Sequence, residues 1–236
     1  MGVKFGQQSS RWINFLINDV LPPFLRDSFL MKPLFWMAFG RKGADVFLSF
    51  RESVEVMNDE DFSRIYTKTA SCDLKKEADI SPRLLARAIE ECEGVESIAD
   101  VGCGRGRLAQ VLQEKKFSVF GIDLGRSCPS GLEGGYAVAR TERIPFKDKA
   151  VDVAICAHVL EHIPDIFSAL DELRRISALK IVVILPVERP YRFGFNLHVW
   201  FFPYRLNVMQ IMRPKADVFW SLERIGNEWL YIEERS

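Results

Sequence analysis

The sequence lacks a net charge, a paired cysteine motif and a long uninterrupted apolar run. Its 32 Lys and Arg residues balance 32 Asp and Glu residues, so we expect no nucleic-acid partner. Its five cysteines include no Cys-x-x-Cys pair, which indicates reduced thiols and a cytoplasmic location. We expect no signal peptide, because no apolar run ends in small residues. We also expect no membrane span, because polar residues and Pro22-Pro23 interrupt the apolar segment 12–39.

The aromatic residues are unevenly distributed along the chain. Of the 28 Phe, Trp and Tyr residues, ten fall in residues 1–50 and seven in residues 191–204. We therefore divide the chain near residue 80 into an aromatic-rich extension, residues 1–80, and a core domain, residues 81–236. Apolar residues at helical spacing from Trp12 onwards, ended by the two prolines, predict that the extension is helical.

The core domain alternates helical and strand patterns. Ser81-Pro82 is a typical helix start, with Ser at the N-cap. Near-continuous apolar strands between helices predict a parallel sheet with helices on both faces. Gly226-Asn227 lies between two further strands and predicts a hairpin turn. The fold class is thus α/β, with seven strands that are mostly parallel. We expect strands at 97–101, 117–122, 136–139, 151–157, 180–185, 218–225 and 229–233, and helices at 107–116 and 164–177.

A glycine-rich loop joins the first of these strands to a helix. Gly102, Gly104 and Gly106 follow the acidic residue Asp100. Glycines let the backbone turn tightly and approach a ligand closely, and the helix beyond them offers unpaired N–H groups. The dinucleotide fingerprint G-x-G-x-x-G is absent, because position 107 is Arg. Taken alone, such a loop is equally well explained as a tight strand-to-helix turn.

A second acidic residue follows the next strand. Asp123 comes 17 residues after Gly106, where a carboxylate can accept hydrogen bonds from both hydroxyls of a ribose. Leu124 is then placed to pack on an adenine ring. The alternative for Asp123 is an ordinary helix N-cap. Its distance from the glycine loop favours the ribose role.

A third pattern resembles a known family. The loop, Ile144-Pro145-Phe146 and the segment 151–163 together resemble class I S-adenosylmethionine (SAM)-dependent methyltransferases, in the group that includes quinone and small-molecule methylases. The resemblance covers about residues 95–190. It implies SAM as cofactor and a Rossmann-like fold that ends in an antiparallel hairpin. The cofactor-binding residues that it and the spacing imply are Asp100, Gly102, Cys103, Gly104, Gly106, Asp123, Leu124, Thr141, Glu142, Ala157 and His158.

The chain departs from the family pattern at two places. Arg140 stands where the family usually has an acidic residue that contacts adenine, although the backbone near Thr141 and Glu142 remains able to contact the ring. Residues 177–180 replace the glycine-containing turn that usually precedes the fifth strand. These departures keep open a SAM-binding partner subunit that has lost catalysis. An NAD-dependent oxidoreductase is disfavoured by Arg107.

All three histidines follow strands whose carboxyl ends share one sheet edge, where ligands bind in such folds. His198 lies in an aromatic segment that resembles a substrate-side stretch of the family, so we predict it as the general base. His162 and Glu161 are the other candidate catalytic residues, although Glu161 is equally well explained as an ordinary helix-start carboxylate. No cluster with metal-ligand spacing appears along the chain, so we expect no metal site.

These observations predict a SAM-dependent methyltransferase that acts on a small or lipid-linked acceptor, through a hydroxyl of a sugar or a phenol. The extension then has three candidate roles: a lid or cleft for the acceptor, a structural cover, or a peripheral contact of residues 1–50 with the inner membrane surface. The sequence specifies neither the acceptor nor the oligomeric state.

Overall fold

A seven-stranded sheet forms the centre of the computed structural model, which describes residues 21–54, 56–70, 80–125, 132, 134–193 and 197–235. The strand order is β3-β2-β1-β4-β5-β7-β6. The strands are β1 (Ser97–Val101), β2 (Ser118–Asp123), β3 (Tyr136–Val138), β4 (Val151–Ala157), β5 (Ser177–Pro186), β6 (Val218–Ile225) and β7 (Glu228–Arg235). The α-helices are α1 (Pro23–Arg26), α2 (Lys32–Val54, broken at Gly40), α3 (Asp59–Ala70), α4 (Pro82–Glu90), α5 (Arg107–Glu114), α6 (Ile166–Ile176) and α7 (Arg205–Met212).

The first five strands are parallel and the last two are antiparallel. β1 lies between β2 and β4 in parallel register, whereas β7 runs antiparallel to both β5 and β6. The β6–β7 turn is Gly226-Asn227, in which Gly226 has a φ of 63°. A positive φ is readily adopted by glycine, which explains the tight connection. This arrangement confirms the predicted mostly parallel sheet with a C-terminal hairpin.

Helices cover both faces of the sheet because successive strand residues point to opposite sides. On β1, Ile98 packs into the hydrophobic cluster formed with α4 and α5, while its neighbour Ala99 packs into the cluster formed with α6 and α7. Val153 and Ala154 of β4 divide in the same way. The two buried clusters therefore form the layers above and below the sheet, as predicted.

A third hydrophobic cluster joins the extension to the aromatic segment after β5. Phe35 and Phe62 of the extension are buried with Phe193 and Leu197. The Phe29 and Phe193 rings lie 6.3 Å apart between centroids. The two aromatic-rich regions thus pack together, as their composition suggests. The helix predicted from Trp12 onwards lies mostly outside the described residues, and none of the described helices is long and apolar enough to cross a membrane.

One strand boundary was wrong, one helix start was confirmed and one helix was missed. β5 begins at Ser177 and not at Lys180, because Ser177 takes an extended conformation directly after α6 ends. Ser81 is the N-cap residue of α4 and Pro82 begins the helix, as predicted, although the Ser81 side chain makes no capping hydrogen bond and its backbone N–H donates to Glu228 at 3.3 Å. Helix α7 was not predicted at all. Its apolar residues show little periodicity, and it is held by burial of Val208 and Met212.

Candidate active site

The glycine loop lies at the carboxyl end of β1 and is tied to the end of β2. The backbone N–H groups of Gly102 and Cys103 both bond to the Ile122 carbonyl, at 2.7 and 3.0 Å. The φ angles of Gly102, Gly104 and Gly106 are 78°, 52° and 76°, a region that strongly favours glycine. Gly106 is the N-cap of α5. The loop therefore presents its backbone and the start of a helix at the sheet edge.

Gly102 also permits a close approach between the loop and the segment after β4. A Cβ atom at Gly102 would overlap the side chain of Val159, whereas no described atom lies within 4 Å of the corresponding position at Gly104. The space beside Gly104 is thus open toward the sheet edge. Gly102 brings the loop against the β4 end, and Gly104 leaves room for a ligand.

We expect Gly102→Ala to destabilise the fold more than Gly226→Ala does. Both positions have positive φ, which costs about 1 kcal/mol for a non-glycine residue, but only Gly102 adds the overlap with Val159. Overpacking of this kind costs roughly 1–3 kcal/mol more. Chemical denaturation of both variants measures the difference. Equal losses of unfolding free energy at the two positions would contradict the close approach, and Val159→Ala should partly rescue Gly102→Ala.

Asp123 ends β2 directly beside this loop. Its carboxylate accepts hydrogen bonds from the N–H of Gly104 at 2.9 Å and from the N–H of Gly125 at 2.7 Å. Asp123 thus bonds across to the glycine loop, and the residues directly after Gly125, on which its alternative role as a helix N-cap depends, lie outside the described range. Leu124 is half-buried next to it. Asp123 and the glycine loop, which are separated along the chain, are therefore neighbours in the structure.

Asp100 lies under the loop and is buried. Its Oδ2 atom has no hydrogen-bond partner. Burial, only partly offset by a hydrogen bond from the Ala109 backbone, raises the pKa of Asp100 to about 7. An unpartnered buried carboxyl oxygen is costly, and such strained polar groups concentrate at functional sites. A cationic ligand group above the loop would relieve the cost.

We expect the stability of the ligand-free protein to reflect this group. The folded-state pKa of Asp100 lies above the unfolded value of 3.8, so its favourable protonated state is retained at low pH and lost as pH rises through 7. Asp100→Asn should therefore remove a loss of unfolding free energy between about pH 4 and pH 7, on the order of 1.4 kcal/mol for every tenfold change in acidity. Asp171→Asn, at an exposed position on α6, is the control. Parallel pH profiles for wild type and Asp100→Asn, measured by urea denaturation, would contradict this assignment.

The residues predicted to contact adenine lie after β3. Arg140 bonds to Glu142 Oε1 at 2.6 Å and to the Ser63 hydroxyl of α3 at 3.3 Å. Thr141, which lies between Arg140 and Glu142 along the chain, is buried. A cleft of about 370 Å³ opens beside Arg140 and Ile144. Arg140, which departs from the family pattern, thus links the extension to this edge of the sheet.

His158 follows β4, one residue after the half-buried Ala157. Its Nε2 atom lies 2.9 Å from Glu228 Oε1 and its Nδ1 atom 3.5 Å from Glu161 Oε1. Burial opposes the charged ring, but the bonds to the two carboxylates outweigh it and raise the pKa of His158 to about 9. Burial likewise opposes the Glu161 charge, and the bond from His158 brings the pKa of Glu161 to about 2. These groups form a charged pair at neutral pH.

The three candidate catalytic residues meet at the same sheet edge. The Glu161 carbonyl accepts hydrogen bonds from the N–H groups of Val199 and Trp200, at 2.7 and 3.1 Å, and so holds the segment after β5 against the β4 end. The His162 and His198 rings are 4.6 Å apart between centroids and nearly perpendicular. Glu161 sits in a single 3-10 turn, 1% exposed. It is therefore not a solvent-exposed helix-start carboxylate.

Hydrogen bonds orient both imidazole rings. Burial and the nearby His198 lower the pKa of His162 to about 4, so this ring is neutral at neutral pH. Its Nδ1 atom lies 3.1 Å from the Leu197 carbonyl. A carbonyl only accepts, so Nδ1 carries the proton and Nε2 the lone pair. His198 Nδ1 lies 2.5 Å from Glu188 Oε2, which orients that ring in the same manner.

Sequence reasoning missed three residues of this site. Glu188 follows β5 and Glu228 begins β7, and both carboxylates contact predicted histidines. Arg51 of α2 packs over the Tyr191 and Phe201 rings, 4.1 and 4.4 Å from their centroids. The only signal for Glu188 was its place at the carboxyl edge of the sheet. Contacts of Arg51 and Glu228 depend on long-range packing, which no local pattern reveals.

Comparison with known proteins agrees with this geometry. Residues 99–179 match the family model described as a methyltransferase domain. Residues 99–179 thus carry a methyltransferase domain that is similar to those of class I SAM-dependent enzymes. This finding confirms the resemblance seen in the sequence, the enzyme class and SAM as the cofactor of that class. The matched span includes the glycine loop, Asp123 and the β4 end.

Individual proteins share this domain over part of their length. The ubiquinone biosynthesis O-methyltransferase of Escherichia coli O157:H7 is 31% identical over 164 residues, which cover 64% of this chain and 54% of that protein. The chain thus spans about half the length of this curated relative, and 38% of the one from Hahella chejuensis.

Solved structures show the same fold at low identity. A SAM-dependent methyltransferase from Aquifex aeolicus is 16% identical, with a TM-score of 0.54 over 76% of this chain and 100% of that one. The 1,6-didemethyltoxoflavin-N1-methyltransferase of Burkholderia thailandensis, solved with S-adenosylhomocysteine, is 15% identical, with a TM-score of 0.55 over 79% of this chain and 90% of that one.

Proposed function

We propose that this chain transfers the methyl group of SAM to a hydroxyl oxygen of a small-molecule acceptor. The observation that carries this proposal is that two groups of residues lie at the same edge of the sheet. The glycine loop and Asp123 form one part, and the Glu161–His162–His198 cluster forms the other. Gly102 packs against Val159, two residues before Glu161, and so connects the two parts.

The residues at the loop fit SAM. Open space beside Gly104 and the unpartnered oxygen of buried Asp100 suit a ligand that brings a positive charge near the loop. Asp123 would bind the ribose hydroxyls, with Leu124 against the adenine. The remaining residues proposed to hold the cofactor are Gly102, Cys103, Gly106, Thr141, Glu142, Ala157 and His158.

SAM supplies a methyl group that is already activated on a sulfonium, so the protein has to align the acceptor and remove its proton. His198 is proposed to accept the acceptor's hydroxyl proton at Nε2. Glu188 orients the ring through Nδ1 and stabilises its charged form. Glu161, buried close to both imidazoles, provides further negative charge. His158 is held by the carboxylates of Glu161 and Glu228, and we assign it a role in positioning the methionine part of SAM.

The relatives and the extension support a hydroxyl-bearing aromatic acceptor. The E. coli relative is named for O-methylation in ubiquinone biosynthesis. In this chain the segment after β5 carries Tyr191 and Phe201, whose rings pack at 5.0 Å between centroids next to Arg51. His198 lies 6.5 Å from the Phe201 ring. The base is therefore adjacent to aromatic rings over which Arg51 of the extension packs, a setting that suits a phenolic acceptor.

Two measurements test the proposed function. Calorimetry should show binding of SAM and S-adenosylhomocysteine but not of NAD. Incubation of the SAM-bound protein with phenols and catechols should then release S-adenosylhomocysteine. Binding of NAD with no heat from either SAM form would overturn the assignment. Binding of SAM without turnover on any acceptor would instead favour the alternative, a SAM-binding partner subunit.

A lipid-linked acceptor at a membrane surface is the finer form of this proposal. Phe24, Phe29, Leu30 and Met37 of the extension are each more than 60% exposed, and Lys32 lies among them over the Phe29 ring. Exposed apolar residues with basic neighbours suit the membrane interface. Flotation with anionic liposomes should carry the wild-type chain but not a variant with Phe24, Phe29 and Leu30 changed to Ser. Equal flotation of both would argue against this contact.

A further inference from the structure

We infer that Glu161, His162 and His198 form a binding site for a divalent transition-metal cation, with Zn²⁺ as its best representative. One potential ligand atom from each residue lies within 4.8 Å of those from the other two. Two imidazoles and one carboxylate are a recurrent protein ligand set for Zn²⁺ and Fe²⁺. The inference rests on the proposed function in placing this cluster at the acceptor side.

The unpartnered oxygen of Glu161 is the first observation that points to a ligand. Glu161 is 1% exposed, and its Oε2 atom has no hydrogen-bond partner, whereas Oε1 faces His158 at 3.5 Å. Burying an ionised oxygen without a partner is strongly unfavourable. A cation between Glu161 and the two rings would supply the missing partner.

The orientation of the rings is the second observation. His162 donates from Nδ1 to the Leu197 carbonyl, and His198 Nδ1 is bonded to the Glu188 carboxylate. Metal-binding histidines usually make this pair of contacts, because the outer hydrogen bond fixes the tautomer and increases the basicity of the inner nitrogen. Both rings therefore have the tautomer in which Nε2 can act as a ligand.

The size of the cluster suits a small cation. Ligand atoms held at about 2.1 Å from Zn²⁺ in a tetrahedron lie about 3.4 Å apart. The ligand atoms lie within 4.8 Å of one another, so they would have to approach by at most about 1.4 Å on binding the cation. Two nitrogen ligands disfavour Mg²⁺ and Ca²⁺, which prefer oxygen. Three protein ligands leave a position at which the acceptor hydroxyl can bind and become more acidic.

Spacing along the chain predicts no metal site, because the proposed ligands come from two segments that are distant in sequence. Glu161-His162 follows β4 and His198 lies beyond β5. The two segments meet because the Glu161 carbonyl binds the N–H groups of Val199 and Trp200. Metal coordination and proton acceptance use the same Nε2 lone pair of His198. A bound cation would therefore replace the imidazole in activating the acceptor: it would lower the pKa of the coordinated hydroxyl, whose proton would pass to water.

Metal titration of the full chain, stripped with EDTA, tests the inference. Calorimetry with Zn²⁺ should show one site, and Co²⁺ should give the weak visible absorption of nitrogen and oxygen coordination. Intense near-ultraviolet bands would instead indicate cysteine thiolates. Glu161→Gln and His198→Asn should each weaken Zn²⁺ binding roughly 100-fold, and Glu188→Gln roughly 10-fold. Glu172→Gln, which removes a carboxylate bonded to Arg175 on α6, should bind as wild type does.

The outcomes separate this inference from the proposed function. Absence of stoichiometric Zn²⁺ or Co²⁺ binding, or binding unchanged in both ligand variants, overturns the metal site. SAM binding by the same samples then shows that the proposed function stands without it. Zn²⁺ binding with no SAM binding would overturn the proposed function alone. Circular dichroism checks folding, and His162→Gln serves as a third ligand variant if either of the others does not fold.

Discussion

His198→Ala is expected to lower kcat by roughly 10²–10⁴ with a phenolic acceptor, the range for loss of a general base, while SAM affinity stays nearly unchanged. The ring lies on the segment after β5, next to His162 and Phe201 and bonded to Glu188. Its described contacts include none with the glycine loop or Asp123, which explains the separation of the two effects. Release of S-adenosylhomocysteine measures kcat, and calorimetry measures SAM binding.

Tyr204→Ala provides the matched control for this prediction. Tyr204 lies on the same segment but is 63% exposed, so its removal should leave kcat within about two-fold of wild type. A near-wild-type rate for His198→Ala would leave His198 as a packing residue. A large loss in His162→Ala alone would move the base role there. EDTA treatment of the wild-type enzyme distinguishes direct proton acceptance, which survives it, from activation by a cation, which does not.

The sheet and the SAM-binding loop could be predicted because their signals are local. A strand, three glycines and a helix are contiguous from Ser97 to Glu114, and a parallel sheet brings the carboxyl ends of neighbouring strands to one edge. Asp123 therefore had to lie beside the loop once β1 and β2 were placed. The hydrogen bond from Gly104 to Asp123 shows how closely the local pattern specified this part of the site.

The acceptor side could be predicted only in part. The positions of His162 and His198 after β4 and β5 indicated the correct edge, but their contact depends on the segment 197–202 folding back onto the β4 end. Glu188, after β5, contacts His198; Glu228 of β7 contacts His158; and Arg51 of α2 packs over Phe201. Such contacts arise from tertiary packing, and residue type and spacing along the chain do not encode them individually.

The extension illustrates the same limit. Its high aromatic content indicated a hydrophobic partner region, and the cluster around Phe35 and Phe193 confirms that partner. Composition could not tell which rings are buried and which are exposed. Phe35 is fully buried, whereas Phe24, on the one-turn helix α1, is 74% exposed. Burial is decided by which face of each short helix meets the core domain.

Asp123→Ala is expected to weaken SAM binding by about 1–3 kcal/mol, or roughly 5- to 150-fold in Kd, the scale for lost hydrogen bonds to a charged group. The carboxylate lies at the end of β2 and faces Gly104 across the loop. Asp123→Asn keeps the side-chain size but removes the charge, so it should show a smaller loss that separates charge from shape. Calorimetric titration with S-adenosylhomocysteine measures both variants.

Asp171→Ala controls for the general effect of removing a carboxylate, since Asp171 is exposed on α6. Its Kd should match that of the wild-type protein. Asp123 also holds the N–H groups of Gly104 and Gly125, so the thermal unfolding midpoint must be followed alongside Kd. A folded Asp123→Ala variant that binds S-adenosylhomocysteine as tightly as the wild type would remove Asp123 from the cofactor site. Its role would then be to hold the glycine loop against β2.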